Sequence, residues 1–308
     1  MEIALQFVLL ALGFVMLAKG ADWFVEGAAG IAMRFGIPQL VIGLTIVAMG
    51  TSAPEAAVSI AAAVKGNADI TIGNIIGSNI LNILVILGLA ASIVPIAVAR
   101  STVRIEIPFM IAITALLFYQ GRDGSISLAD GGVLMVAFAA YMMYLYTMAM
   151  KSNVDSDLEE PGLPLGRCLL GAVGGLALII TGSNVTVGAA TSIATYAGLS
   201  ERFIGLTIVA LGTSLPELFT SVAAARRGNA DIAIGNIVGS NIFNILFVVG
   251  LSALIIDIPF ASAFNFDTYV ALGAAVLLWL CVLRTQRLQR WTGALMLVCY
   301  AAYLLYIL

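Results

Sequence analysis

Histidine is absent from this chain of 308 residues, and only 10% of its residues are charged. Without imidazole there is no histidine-based catalytic triad, no HExxH metalloenzyme, no histidine-ligated haem and no histidine-bound zinc or copper. Cysteine is scarce too. Cys168, Cys281 and Cys299 fall in or beside apolar stretches without CxxC spacing, which excludes a local thiolate cage and reads as inert core residues. A basic excess is also missing: 14 Lys+Arg against 17 Asp+Glu leave a net charge of −3 and no cationic face for nucleic acid. What is present is oil. Hydrophobic residues make up 61% of the chain and mean hydropathy is +1.08, well above the roughly half-apolar composition of a soluble domain. The chain reads as an all-α integral membrane protein whose first partner is the lipid bilayer.

A hydrocarbon core of about 30 Å needs about 20 apolar residues per helix. Splitting the chain at polar and Gly/Pro breaks predicts ten transmembrane helices near 3–33, 37–64, 69–97, 104–120, 130–151, 165–197, 201–226, 231–257, 265–284 and 291–308. The first has no basic leader and outruns a signal peptide, so it is expected to be a retained helix. Loops on the N-terminal side carry three basic residues (Lys65, Arg122, Arg202); those on the other side carry ten, from Arg34 to Arg290. The positive-inside rule then predicts a multi-pass protein of the cell (inner) membrane, both termini outside and segment 152–164 cytoplasmic. That segment holds Asp155, Asp157, Glu159 and Glu160 but lacks the glycine and length of an EF-hand, so it reads as a solvated linker.

The strongest internal signal is a repeat. Residues 43–89 align without gaps to 205–251 at a constant offset of 162, with 33 of 47 positions identical. The matches include Thr51/Thr213, Ser52/Ser214, Pro54/Pro216, Glu55/Glu217 and Asn82/Asn244, which apolar composition alone does not produce. The offset spans five predicted helices, an odd number, so the halves are expected to enter the membrane in opposite directions. The organisation predicted is a first five-helix repeat over 1–151, the linker 152–164, and a second five-helix repeat over 165–308. Inverted repeats around a midplane site are a secondary-transporter architecture.

Glu55 and Glu217 fall deep in apolar segments. An ionised carboxylate at the bilayer centre costs about 2.5–3.5 kcal/mol on insertion scales. Two facing each other add repulsion unless protonated or neutralised by cations. Pro54 and Pro216 oppose the carbonyls of Gly50 and Gly212, so a helix break is predicted there, with freed carbonyls turned to a cavity. Thr51, Ser52, Thr213 and Ser214 add hydroxyls, which serve either a site or the kink's own backbone. Ser78 and Asn82, like Ser240 and Asn244, are four apart and share a helix face. Asn74 and Asn236 extend that stripe, whereas Asn79 and Asn241 read as packing residues. Two carboxylates, hydroxyls, amide oxygens and backbone carbonyls make an all-oxygen cage, suited to Ca²⁺ or Na⁺.

The paired GTSxPE and GSNxxN segments resemble the two α-repeats of the sodium/calcium exchangers, within the calcium/cation antiporter superfamily. That resemblance implies that the second and seventh helices contribute Glu55, Glu217, Thr51, Ser52, Thr213 and Ser214, and the third and eighth Ser78, Asn82, Ser240 and Asn244. It also implies sodium binding at the Ala48 and Ala210 carbonyls, and a first and sixth helix that slide across the core on Gly20, Gly27, Gly30, Gly182 and Gly188. Several relatives carry aspartate where this chain has Asn244, so the cage holds two formal charges, enough for one Ca²⁺. The function expected is Na⁺/Ca²⁺ antiport by alternating access, with Ca²⁺ and Na⁺ as transported ions, no resident cofactor and no obligatory protein partner. Ca²⁺/proton exchange is the alternative, since two glutamates accept two protons. An intramembrane enzyme using the glutamates as acid and base lacks a nucleophile, metal or phosphate constellation.

Two weaker features complete the reading. Asn67, Asp69, Asn229 and Asp231 are expected as caps and dipole partners where the third and eighth helices start. Lys19, Asp22 and Glu26, at i, i+3 and i+7, are expected to form an ion pair within the first helix.

Overall fold

In the computed structural model, residues 2–66, 68–152, 163–198 and 210–307 are described. Helix α1 (Glu2–Arg34) is followed by α2 (Gln39–Ile42), the π-turn π1 (Gly43–Val47), α3 (Ala48–Thr51) and α4 (Ala53–Val64). Next come α5 (Asp69–Leu81), π2 (Asn82–Leu87), α6 (Gly88–Ile93), π3 (Thr102–Glu106), α7 (Ile107–Gln120) and α8 (Leu128–Ser152). The second half contains α9 (Leu165–Tyr196), α10 (Ala210–Thr213), α11 (Leu215–Arg226), α12 (Ala230–Phe243), π4 (Asn244–Val249), α13 (Gly250–Ile255), α14 (Phe264–Leu283) and α15 (Arg290–Ile307). Among the described residues, 8 helices are long and apolar enough to cross a membrane, or 9 when the bent pair Gln39–Thr51 and Ala53–Val64 is one span.

The sequence repeat is also a structural one. The bounds of α3, α4, π2 and α6 recur 162 residues later as those of α10, α11, π4 and α13. Burial does not follow hydropathy: the windows in Thr71–Ile93 and Ala230–Ile255 are 78% buried, against 17% for Ile3–Arg34 and Leu128–Lys151. The repeated helices therefore form the centre and the others a sheath with a lipid-facing apolar surface, including Phe7, Val8, Val136 and Leu170.

Helix α1 packs along the length of α9, with backbone in close approach at paired glycines. A methyl group placed on Gly20 would meet the Gly175 carbonyl at 2.9 Å, and one on Gly175 the Gly20 carbonyl at 2.7 Å. Glycine is required at both positions because nothing larger fits between the chains. At Gly188, by contrast, an added methyl group would meet nothing within 4 Å, so no close approach requires glycine there.

Two helix ends differ from expectation. The third predicted helix stops at Ile93 because Pro95 drives Val94 into extended backbone (φ −136°, ψ 125°). The chain then forms strand β1 (Ile96–Ala97), which pairs antiparallel with β4 (Arg287–Leu288). The eighth stops at Ile255, and β3 (Ile258–Pro259) pairs with β2 (Ser125–Ile126). These two-residue bridges satisfy loop backbone at the ends of the bundle.

Candidate cation site between the repeats

The helix break falls at Ser52 (φ −82°, ψ 6°) and Ser214 (φ −91°, ψ 3°), two residues after the glycines where it was expected. Pro54 and Pro216 lie in the first turn of α4 and α11, where a missing N–H costs nothing, so each proline starts a new helix instead of kinking an old one. The bend across Ser52 is 52°. The carbonyl released at Gly212 accepts from the Ser183 hydroxyl of α9 at 2.7 Å, and both residues line the cleft beside the break.

This geometry puts Glu55 and Glu217 in the first turns of their helices, where unpaired N–H groups and the helix dipole favour negative charge. Both are fully enclosed, at 1% and 0% exposure. Each is held by the opposite repeat. Ser52 Oγ donates to Glu217 Oε1 at 2.8 Å, and Ser214 Oγ donates to Glu55 Oε1 at 3.3 Å. The glutamates' own backbone is pinned as well. Asn74 Nδ2 donates to the Glu55 carbonyl (3.4 Å) and to Ser59 Oγ (3.0 Å); Asn236 Nδ2 does the same to the Glu217 carbonyl (3.4 Å) and Ser221 Oγ (2.9 Å).

The asparagines close the other side. Asn82 and Asn244 open π2 and π4, which pack against α11 and α4 respectively. Asn82 Nδ2 donates to Asn241 Oδ1 at 2.9 Å, and Asn244 Nδ2 to Asn79 Oδ1 at 3.1 Å. Asn79 and Asn241 in turn donate to each other's backbone carbonyls at 3.3 and 3.2 Å. These bonds fix which way each amide points. The nitrogens of Asn82 and Asn244 are engaged, and their Oδ1 atoms are left over. Glu55 Oε2, Glu217 Oε2, Asn82 Oδ1 and Asn244 Oδ1 are all buried without a hydrogen-bond partner. Buried polar atoms are rarely unpaired. Four of them, two from each repeat at equivalent positions, form a set of anionic and carbonyl oxygens with unused lone pairs.

The remaining expected residues divide. Ser78, Ser240 and Thr51 are buried. Thr51 Oγ1 donates to Asn236 Oδ1 at 3.0 Å and lies near the Val47 and Ala48 carbonyls, so it ties the break to the second repeat. The Ala48 carbonyl accepts from the Ser52 N–H at 3.0 Å and from Ser240 Oγ at 3.4 Å. Thr213 ends α10 beside Ser214, and Ala210 begins that helix. Asp231 lies in the first turn of α12 as a dipole partner, but Asn229 at its N-cap makes no side-chain cap bond. Asn67 and the Asp69 side chain lie outside the described residues, as do residues 153–162 of the expected linker. Asp22 and Glu26 pair with Arg227 of the α11 end, at 3.3 and 3.0 Å, in place of the expected pairing with Lys19. The three cysteines are free, as expected.

Beside the break, a cleft of about 680 Å³ runs between α4, α9 and α10, lined by Pro54, Ala57, Asn184, Gly188, Gly212 and Thr213 among others.

The family model described as "Sodium/calcium exchanger protein" matches residues 5–147 and 168–308. This chain belongs to the sodium/calcium exchanger family. A protein of Alkalimonas amylolytica named CaxA is 40% identical over 314 residues, covering 98% of each chain. Inner membrane protein YrbG of Escherichia coli is 38% identical over 305 residues, covering 94% of this chain and 92% of its own. A solved structure of the sodium-calcium exchanger NCX_Mj superposes with a TM-score of 0.86 at 34% identity, covering 98% of both chains. Family membership makes the chain a multi-pass membrane protein of an exchanger family and gives the inter-repeat oxygens their context.

Sequence reasoning missed Ser183 and Glu106, and it took Asn79 and Asn241 as packing residues without showing that they meet each other. Ser183 and the Asn79/Asn241 pair act through contacts that no local spacing reveals. Glu106, a carboxylate fully buried within a span, borders the apolar run 107–121 two residues after Arg104, where nothing in the local sequence marks it as buried.

Proposed function

We propose that this exchanger-family chain is a secondary active antiporter that moves Na⁺ against Ca²⁺ through the oxygen set between its repeats. The observation that carries the reading is the four-atom group Glu55 Oε2, Glu217 Oε2, Asn82 Oδ1 and Asn244 Oδ1, buried and unpartnered. Hard cations take oxygen ligands, and Ca²⁺ takes about six to eight. Hydroxyls of Thr51, Ser52, Ser78, Thr213, Ser214 and Ser240 and carbonyls of Ala48 and Ala210 are the further ligands proposed. Two carboxylates balance one Ca²⁺ or two Na⁺, and a third Na⁺ would leave one positive charge for neutral oxygens to hold. Among the described residues no group of three acidic, cysteine or histidine side chains gathers, so the balance rests on this pair.

Ten helices in two inverted five-helix halves, with both termini outside and 152–164 cytoplasmic, are the architecture proposed. The reciprocal Ser52–Glu217 and Ser214–Glu55 bonds support a two-fold relation between the halves. Alternating access then follows from movement of α1 and α9 over the core, and the cleft lined by Pro54 and Gly188 is the open route in this conformation.

The test is Ca²⁺ tracer uptake into Na⁺-loaded proteoliposomes with pH and K⁺ gradients clamped. Uptake is expected to require internal Na⁺ and to disappear in Glu55→Gln and in Glu217→Gln. A second reading, Ca²⁺/proton exchange, is favoured by a cage with asparagine at both 82 and 244, whose two glutamates accept two protons in place of one Ca²⁺. Uptake driven by an imposed pH gradient and indifferent to Na⁺ would select it. No Ca²⁺ flux under either gradient would sink both.

A further inference from the structure

Outside the near-identical segments 43–89 and 205–251, a second polar cluster lies within the membrane-spanning bundle. Glu106 ends π3, four residues after Thr102, and both side chains are fully buried. The Tyr144 hydroxyl of α8 donates to Glu106 Oε1. Glu106 Oε2, Thr102 Oγ1 and the Tyr141 hydroxyl are all buried without a partner. Tyr141 and Tyr144 are three apart on α8 with ring centroids 6.4 Å apart, and Tyr141 stacks on Phe109 of α7 at 5.4 Å, so α8 turns both phenols toward the start of α7.

No basic side chain among the described residues pairs with this carboxylate; the described ion pairs belong to Arg227. Arg104, on the same turn, is exposed. From α14 the contact to the turn is the Trp279 indole N–H, which donates to the Val103 carbonyl at 2.8 Å. Asp267, the sole charged residue of α14, is bonded to Tyr303 at 2.8 Å. On α8 itself, Asp130 is bound to Ser127 at 2.6 Å and Lys151 is exposed at the helix end. The equivalents of Thr102 and Glu106 at the repeat offset are Phe264 and Thr268, so the cluster is not a part of the repeated cage.

We propose that Glu106, Thr102, Tyr141 and Tyr144 form a second cation site, separate from the inter-repeat cage, that takes one monovalent cation as a proton or as Na⁺. One carboxylate sets the charge at one: a monovalent ion leaves the cluster neutral, whereas a divalent ion would leave positive charge in an apolar surround. The ligand atoms are all oxygen, which excludes soft metals. Both occupants neutralise the same carboxylate: a proton bonds to Oε2 and makes the carboxyl a hydrogen-bond donor to one hydroxyl oxygen, whereas Na⁺ is coordinated by Oε2 and the two unpaired hydroxyl oxygens.

The test is infrared difference spectroscopy on the purified chain in lipid, stepping pH and Na⁺ separately. Glu55→Gln/Glu217→Gln serves as background to silence the cage carboxylates, and wild type minus Glu106→Gln replaces it if that background fails to fold. A neutral-carboxyl stretch that grows as pH falls without Na⁺, and is lost in Glu106→Gln, identifies the proton. A carboxylate stretch that shifts saturably with Na⁺ at fixed pH, and is lost in Glu106→Gln, identifies Na⁺. Tyr144→Phe and Thr102→Val keep the carboxyl and are expected to shift that signal without abolishing it. A Glu106 signal invariant to both pH and Na⁺ overturns the proposal and leaves a packing hydrogen bond.

Discussion

The asparagine amides decide which atoms the proposed central site offers. Repetition marks Asn82 and Asn244 in the sequence, and their spacing from Ser78 and Ser240 gives a shared face. Which end of each amide is free is not legible, because it depends on Asn79 and Asn241, which meet across the bundle from opposite repeats. The same holds for Glu55 and Glu217. Their depth follows from composition, but the serine that holds each one comes from the other half. Asn244→Asp tests the orientation. An aspartate oxygen would replace the nitrogen that donates to Asn79 Oδ1 at 3.1 Å, setting oxygen against oxygen in a buried place. The lost bond and orphaned acceptor are expected to cost about 1–3 kcal/mol in ion-free buffer. Ca²⁺ should restore more stability to this variant than to wild type, since the added carboxylate gains a partner. Thermal melts with and without Ca²⁺ read both effects, and an unchanged ion-free melting temperature would contradict the assigned amide orientation.

Helix boundaries were legible to within a few residues where apolar runs end in Pro, Gly or charge, and less so where the third helix meets Pro95. What hydropathy does not encode is partner choice. Sequence gives α1 and α9 as two long helices with glycines; their mutual backbone contact appears only when the chain is folded. Gly20→Leu would drive a side chain into the Gly175 carbonyl and the Ile179 backbone. Overpacking of this kind costs about 1–3 kcal/mol, and transport is expected to fall with the melting temperature. Gly188→Ala meets nothing within 4 Å and should leave both unchanged. The α1–α11 ion pair behaves differently. Helical spacing grouped Lys19 with Asp22 and Glu26, yet both acids turn to Arg227, an arginine remote in sequence. With side chains 35–49% exposed, these contacts face solvent. Arg227→Ala is expected to cost under about 1 kcal/mol, and the difference from wild type should shrink as salt is raised from low to high ionic strength.

At the scale of the whole molecule, the repeat makes a prediction about sidedness that no single helix makes. Lys65 and Arg227 occupy equivalent positions at the offset of 162, each just past the end of the helix that carries a site glutamate, and both are exposed. If the halves were related by a parallel repeat, these positions would emerge on the same face of the membrane. If the halves are inverted, they emerge on opposite faces. The charge bias across the loops, ten basic residues against three, assigns Lys65 to the outside and Arg227 to the cytoplasm. The three native cysteines are free, so they are first replaced by alanine. Lys65→Cys and Arg227→Cys are then labelled one at a time with a membrane-impermeant maleimide. Lys65→Cys is expected to react in intact cells and Arg227→Cys only after permeabilisation. Loss of the Arg227 ion pair does not confound the readout, because accessibility and not stability is measured. Labelling of both from outside would remove the inverted relation, and with it the reason for placing one site midway between two faces of the membrane.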